Sequence, residues 1–199
     1  MGDVSVQLSF DDFAEPAVLT DRYFFALYPP ANVASEVAQM TLEQRNAKGL
    51  KGKPLQTERF HVTLLHLGDY AEERSDIVSI AVSAANGILS GDFDVGFDRM
   101  ASFTGKGGKA PLVLQGGAGV QDVIAFQRTL ADAIKRTSLH KWAKGSFTPH
   151  MTLMYDDRLV PEEAVEPVSW KVQEFALVRS LLNKTQHIVL GRWALGAAS

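Results

Sequence analysis

The order of apolar periodicities along the chain predicts an α+β protein built as two related lobes, each with an antiparallel sheet and helices. Three observations lead there. Runs with period two alternate with runs of period 3.6, but without the regular strand–helix–strand repeat of a doubly wound parallel sheet. Two strand-like runs, "HVTLLHLG" at 61–68 and "HMTLMY" at 150–155, carry the same His-x-Thr element. Each lies beside a helical stretch, within 22–90 and 120–155, so two parts of the chain read as variants of one unit.

The acidic opening, residues 1–20, shows no sustained period and is expected to be a loosely held extension to a single bilobal domain over 21–199. "RYFFALYPP" (22–30) is aromatic and stops at a proline pair, which predicts a strand and its exit. Pro30 suits the first turn of a helix, and Val33, Val37 and Met40 then share one face up to the stop at Gly49. "ERFHVTLLHLGDY" predicts a strand and "AEERSDIVSIAVSAANGIL" a helix with acids in its first turn. "DFDVGFDRMASFTG" and "APLVLQG" predict a hairpin across "GKGGK". Val123, Phe126, Leu130, Ala133 and Ile134 form the apolar stripe of a further helix. After the second His strand, "SWKVQEFALVRSLL" and "HIVLGRWAL" predict a closing hairpin around "NKTQ".

Composition bounds the function. The 199 residues are 46% apolar and 22% charged, as in an ordinary globular domain, and suffice for one sizeable core. No run approaches the roughly 18 apolar residues of a membrane span, and no basic-then-apolar leader opens the chain. Cysteine is absent, which removes disulfide and thiolate chemistry and fits a cytoplasmic location. A net charge of −3 disfavours a protein that coats long nucleic acids, while a local basic patch could still hold one or two phosphates.

On a strand, residues i and i+2 share a face with Cα atoms about 6.5–7 Å apart. His61 and Thr63 therefore point the same way, as do His150 and Thr152; in a helix they would diverge by about 200°. With five His and ten Thr, about a quarter of one His-x-Thr is expected by chance. A single copy would be better read as a half-buried strand histidine bonded to its neighbours. Two copies in matching contexts, 89 residues apart, weigh against that reading.

Two imidazoles suit proton transfer in both directions, one as base and one as acid. A hydroxyl beside each ring donates to an anionic oxygen. Two rings and two hydroxyls around one anion point to in-line attack on a phosphate. Two histidines with no carboxylate partner make a poor metal set.

At these residues the chain resembles the two-histidine phosphoesterase superfamily, and within it the RNA 2′,3′-cyclic phosphodiesterase family, historically called 2′-5′ RNA ligases. "RYFFALYPP" is similar to that family's opening strand, "ERFHVTLLHLG" and "FTPHMTLMYD" to its signature strands, and "WKVQEFALVRSLLNKTQHIVLGRWAL" to its closing hairpin. The resemblance spans roughly residues 21 to 197. It implies a cleft between the lobes into which each contributes one His-x-Thr. It further implies hydrolysis of 2′,3′-cyclic phosphates to 2′-phosphates without metal or cofactor, by a monomer acting on RNA 3′ ends or small cyclic nucleotides. His61 and His150 would be catalytic, with Thr63 and Thr152 on the phosphate. By analogy His150 is the base and His61 the acid, a polarity that the residues themselves leave open. Two other readings stand beside this one: cleavage or joining of a 2′-5′ linkage or another cyclic phosphate, and a non-catalytic RNA-binding module.

Two positions depart from the family pattern. Tyr155 stands three residues after the second Thr, where many relatives carry arginine, and a phenol lacks the charge and forked donors of guanidinium. After the first motif the expected aromatic is His66, whose i+5 spacing from His61 predicts the opposite strand face. Further cleft or RNA contacts are expected from Tyr155, Arg22, Lys106 and Lys109 of the Gly-rich turn, and His187. His140 reads as a surface residue, and Trp142, Trp170 and Trp193 as core or hairpin residues.

Overall fold

The computed structural model describes residues 17–103, 108–182 and 184–196. The expectations for residues 1–16 and for Lys106 lie outside the described residues. The strands, in chain order, are β1 (Asp21–Leu27), β2 (Val62–Tyr70), β3 (Phe93–Ser102), β4 (Ala110–Gln115), β5 (His150–Asp156), β6 (Glu163–Val172), β7 (Glu174–Leu181) and β8 (Gln186–Ala194). The helices are α1 (Ala31–Ala47), α2 (Ser75–Asn86) and α3 (Gln121–Lys135). All strand neighbours run antiparallel, in the order β6-β3-β4-β5-β2-β1-β7-β8.

This is the expected α+β architecture, with the lobes fused edge to edge. β2-β1-β7-β8 form one half and β5-β4-β3-β6 the other. Between them, among the described residues, only Val62 and Met151 are registered as partners. The helices cover one face of the sheet, where Val33, Val37, Ile77, Val123, Phe126 and Leu130 join the core under β1 to β7. The opposite face stays open above the junction and carries only a small apolar patch of Phe24, Ala26, Ala176 and Val178.

α1 is connected to the first half but packs on β5 and β6 of the second, while α3 packs on β2 and β3, one from each half. The crossed helices bury both halves in one core, so the single-bridge junction is not a hinge between separate cores. Thr20, expected in the loose extension, is bonded to the sheet: Thr20 N donates to Tyr70 O at 2.8 Å, and Leu182 N donates to Thr20 O at 2.8 Å.

One expected element is corrected. "SWKVQEFALVRSLL" is not a single strand, because the chain breaks at Gln173. β6 pairs with β3, and β7 with β1 on the far side of the sheet. β6 is an edge strand buried only at alternate residues, whereas Phe175–Val178 in β7 are buried on both faces. Apolar alternation runs smoothly across the break, which is why the pattern hides it.

The loop after α1 is tied to the end of β5. The Asp156 carboxylate accepts from Lys51 N and Gly52 N, each at 2.6 Å, and from Arg158 N at 2.8 Å. The backbones approach so closely that a Cβ on Gly52 would lie 2.1 Å from Tyr155 O. Gly52→Ala is therefore expected to destabilise the fold by about 1–3 kcal/mol through overpacking. A thermal melt should read this as a Tm several degrees lower; an unchanged Tm would show that the loop gives way freely.

Candidate active site

A bulge follows the threonine in each His-x-Thr strand. Ala26 pairs with Thr63 and Phe25 with Leu65, leaving Leu64 as the extra residue. Val113 pairs with Thr152 and Leu112 with Met154, leaving Leu153 as the extra one. Each bulge sends two successive side chains into the core, Leu64 with Leu65 and Leu153 with Met154. Beyond it the alternation restarts out of phase, so the residue three after each threonine returns to the threonine's own face. His66, registered with Phe24, and Tyr155, registered with Pro111, therefore stand on the open face.

This corrects the expectation for His66, which strict period-two counting placed on the far side. His66 lines a concavity of about 350 Å³ together with Thr63, Trp142, Thr148 and His150. The walls thus include Trp142, packed edge-on to His66 at 5.2 Å, while Trp170 is buried and Trp193 stacks on Phe175.

The two catalytic candidates are held alike. Nδ1 of His61 lies 2.7 Å from Arg59 O, and Nδ1 of His150 lies 2.8 Å from Thr148 O. A carbonyl can only accept, so each neutral ring keeps its proton on Nδ1 and presents the Nε2 lone pair on its other side. Continuing the register from Val62 and Met151 puts His61 across from Thr152, and Thr63 across from His150. Neither threonine hydroxyl has a hydrogen-bond partner among the described residues. The junction thus gathers two imidazoles and two hydroxyls that are distant in sequence.

The ring environments differ. His61 stacks on Phe24 (centroids 5.1 Å apart), touches Tyr28 (5.9 Å) and meets His187 edge-on at 5.0 Å. His150 packs on Phe103 at 4.9 Å. Enclosure by three rings pushes His61 down to about 4 mainly by desolvation, with the charges of Arg59 and His150 adding to the effect. His187 is also lowered to about 4, by burial first and then by His61 and Arg59. Its Nδ1 lies 3.3 Å from the Tyr28 hydroxyl, and burial raises that phenol to about 12.

The other candidates fall as follows. Arg22 is on the open face but engaged: its Nε and Nη2 donate to Asp69 at 2.7 and 2.6 Å, holding that carboxyl down at about 2. Asp69 also meets His66 Nε2 at 2.9 Å, so the chain Arg22–Asp69–His66 braces one flank of the cleft. Tyr155 is 48% exposed and free to reach a ligand. Lys109 lies exposed just before β4, whose first residue pairs with Asp156. His187 joins His61 as expected of a cleft residue, and His140 is exposed. Arg59 went unnoticed in the sequence. Its only signal was its place two residues before His61, and its importance depends on where its guanidinium is carried. Among the described residues no three His, Cys, Asp or Glu side chains stand close enough to hold a metal.

An eight-stranded antiparallel sheet with paired His-x-Thr strands at its centre is the arrangement of the two-histidine phosphoesterases. The model of the 2′-5′ RNA ligase superfamily matches residues 29–184, and the chain belongs to that superfamily. It is 28% identical over 173 residues to the RNA 2′,3′-cyclic phosphodiesterase of Thermus thermophilus, a match covering 81% of this chain and 83% of that protein. Its fold is that of TT0787 from the same organism, with TM-score 0.71 and 22% identity over 89% of this chain and all of that one. E. coli LigT, solved in complex with 3′-AMP, superposes with TM-score 0.63 and 24% identity, covering 89% of this chain and 99% of that one. No helix among the described residues is long and apolar enough to cross a membrane.

The enclosure of His61 and His187 has a direct readout. Both folded values lie below the ordinary 6.5, so the unfolded chain takes up protons first as the pH falls. Their contribution to stability is complete above about pH 6.5 and declines toward pH 4. Ring-proton NMR should show both histidines neutral down to about pH 5, and a midpoint near 6.5 for His61 would contradict the enclosed site.

Proposed function

We propose that the protein hydrolyses 2′,3′-cyclic phosphate ends of RNA or nucleotides to 2′-phosphates, without metal, by acid–base catalysis between His61 and His150. The observation that carries this reading is the matched pair of imidazoles at the sheet junction, each with Nδ1 bonded to a carbonyl and each beside a threonine hydroxyl. One ring takes a proton from water as its oxygen attacks phosphorus. The other gives a proton to the 3′ oxygen as the 3′ O–P bond breaks. The product keeps its phosphate on the 2′ oxygen, and proton exchange with solvent resets the rings. Thr63 and Thr152 donate to the non-bridging oxygens, where negative charge concentrates in the transition state. The metal-free character rests on what the imidazoles and hydroxyls supply by themselves.

Electrostatics favours a polarity. His61, enclosed by three rings and disfavoured as a cation by His150, is held neutral, the state a base needs. His150, packed on a single ring, is then the acid. This reverses the polarity that the resemblance implies. Tyr155 on the open face offers one neutral hydrogen bond where many relatives place a guanidinium, so phosphate charge must be met elsewhere in the cleft.

Incubation with the four nucleoside 2′,3′-cyclic phosphates in EDTA should yield 2′-phosphates, with product identity read by chromatography. His61→Ala and His150→Ala should each lower kcat by about 10²–10⁴. Near-parental turnover by either variant would sink the two-histidine mechanism, and activity restored only by added metal would overturn the metal-free claim. With His61 as base, the acid limb of kcat/KM should fall near pH 4–5. A limb well above that range would rule out His61 as the base.

A further inference from the structure

Behind Tyr28 and His187, which both contact His61, lies a concavity of about 1080 Å³ bounded by those two residues with Arg59, Lys184 and Arg192. Its most unusual member is Arg59. The backbone carbonyl of Arg59 fixes His61, while its side chain runs along the concavity wall. Nε of Arg59 is buried without a hydrogen-bond partner, and among the described residues no carboxylate pairs with its guanidinium. A buried N–H donor lacking an acceptor is rare in a folded protein, because its solvation has been lost without replacement. An anion in the concavity would supply the missing acceptor.

The neighbouring charges leave room for one. Glu174 is consumed by its ion pair with Arg192. Glu58 is exposed and accepts the Thr57 hydroxyl at 3.3 Å. Lys184 is exposed with no ion pair among the described residues, so Arg59 and Lys184 are the cations of the concavity without a salt bridge, against the one unpaired carboxylate of Glu58. His187 lines the same concavity and meets His61 with ring planes at 80°. The smaller concavity on the other side of the histidines has a different character, with His66, Trp142 and Phe147 in its wall.

We propose that Arg59, with Lys184 and His187, forms a subsite for the backbone phosphate of an RNA one nucleotide upstream of the cyclic end. The inference rests on the reaction proposed above and narrows its substrate to an oligonucleotide end. A nucleotide whose 2′ and 3′ oxygens are closed in the cyclic phosphate can continue only through its 5′ oxygen. The next phosphodiester therefore leaves the catalytic junction through a neighbouring concavity; the one beside Phe103 and His150 carries Glu162 and, among the described residues, no cation in its wall. The concavity of His66, Trp142 and Phe147, which also carries Lys144, suits a base, and the one with Arg59 and Lys184 suits a phosphodiester, which a guanidinium grips with paired donors. Arg59 thereby provides the permanent charge that Tyr155 does not, but on the next phosphate rather than the reacting one.

The test compares a dinucleotide bearing a 2′,3′-cyclic phosphate end with the nucleoside 2′,3′-cyclic phosphate of the same terminal base. The parent should favour the dinucleotide in kcat/KM by tenfold or more. Arg59→Gln should reduce that preference about tenfold, chiefly through KM, with Lys184→Gln acting in the same direction and Arg59→Lys retaining part of it. The slope of log(kcat/KM) against log salt for the dinucleotide should shrink by about 0.7 in Arg59→Gln, the value for one phosphate contact on a single strand. A parent without preference, or an equal loss on both substrates in Arg59→Gln, would overturn the subsite; the latter would place Arg59 on the reacting phosphate. Binding of a fluorescent dinucleotide ending in a 2′-phosphate separates the two proposals. Arg59-dependent binding with no turnover of any cyclic phosphate would keep the subsite and refute the reaction. Turnover with an Arg59-independent preference would do the opposite.

Discussion

The contact of Val62 with Met151 is where the two halves of the sheet meet, and the site depends on its register. Because side chains alternate along strands, one residue of slip would turn His61 and Thr63, or His150 and Thr152, into the core. The apolar residues between and beyond them prevent that. Val62, Leu64, Met151 and Leu153 are all at most 2% exposed, so moving them to the open face would forfeit much of the burial at the centre of the molecule. A junction with a single registered pair is sufficient because α1 and α3 each reach across it. The packing that stabilises the fold thus also sets the separation and facing of the two imidazoles.

The paired bulges after Thr63 and Thr152 give the cleft its breadth. A regular strand would offer every second residue to the open face and leave His66 and Tyr155 in the core. The extra leucine in each strand restarts the alternation, bringing a third residue of each strand to the ligand side. The repetition of this device in both halves makes the two lobes related in detail as well as in outline. It also explains why substitutions three residues after the threonine change the chemistry of the cleft. In this chain the two positions hold a histidine braced through Asp69 to Arg22 and an exposed phenol.

The surroundings of the histidines are asymmetric, and the asymmetry bears on the acid–base roles proposed for them. Two identical imidazoles near one anion would share protons indifferently. Enclosure by Phe24, Tyr28 and His187 disfavours charge on His61, and the field of His150 adds to this. The two rings of the pair therefore differ in how readily they accept charge, with His61 the one held neutral.

Much of this was legible in the linear chain. The α+β class follows from the periodicities, and the four residues His61, Thr63, His150 and Thr152 follow from a motif that has meaning only on strands. What escaped did so for identifiable reasons. The break at Gln173 is hidden because apolar alternation continues through it while the pairing partner changes from β3 to β1. His66 was misplaced because a bulge depends on which partner backbone is available, and counting along one strand cannot see it. Arg59 carries no local signal; only the curling of the last hairpin around the end of β1 makes its neighbourhood a concavity, in whose wall its Nε is left without an acceptor. The sequence by itself determined the kind of chemistry, since residue type and spacing decide which groups can share a strand face. The tertiary structure alone decided which groups meet across strands and how much water each retains. Those long-range contacts set the proton affinity of His61 and the free charge of Arg59.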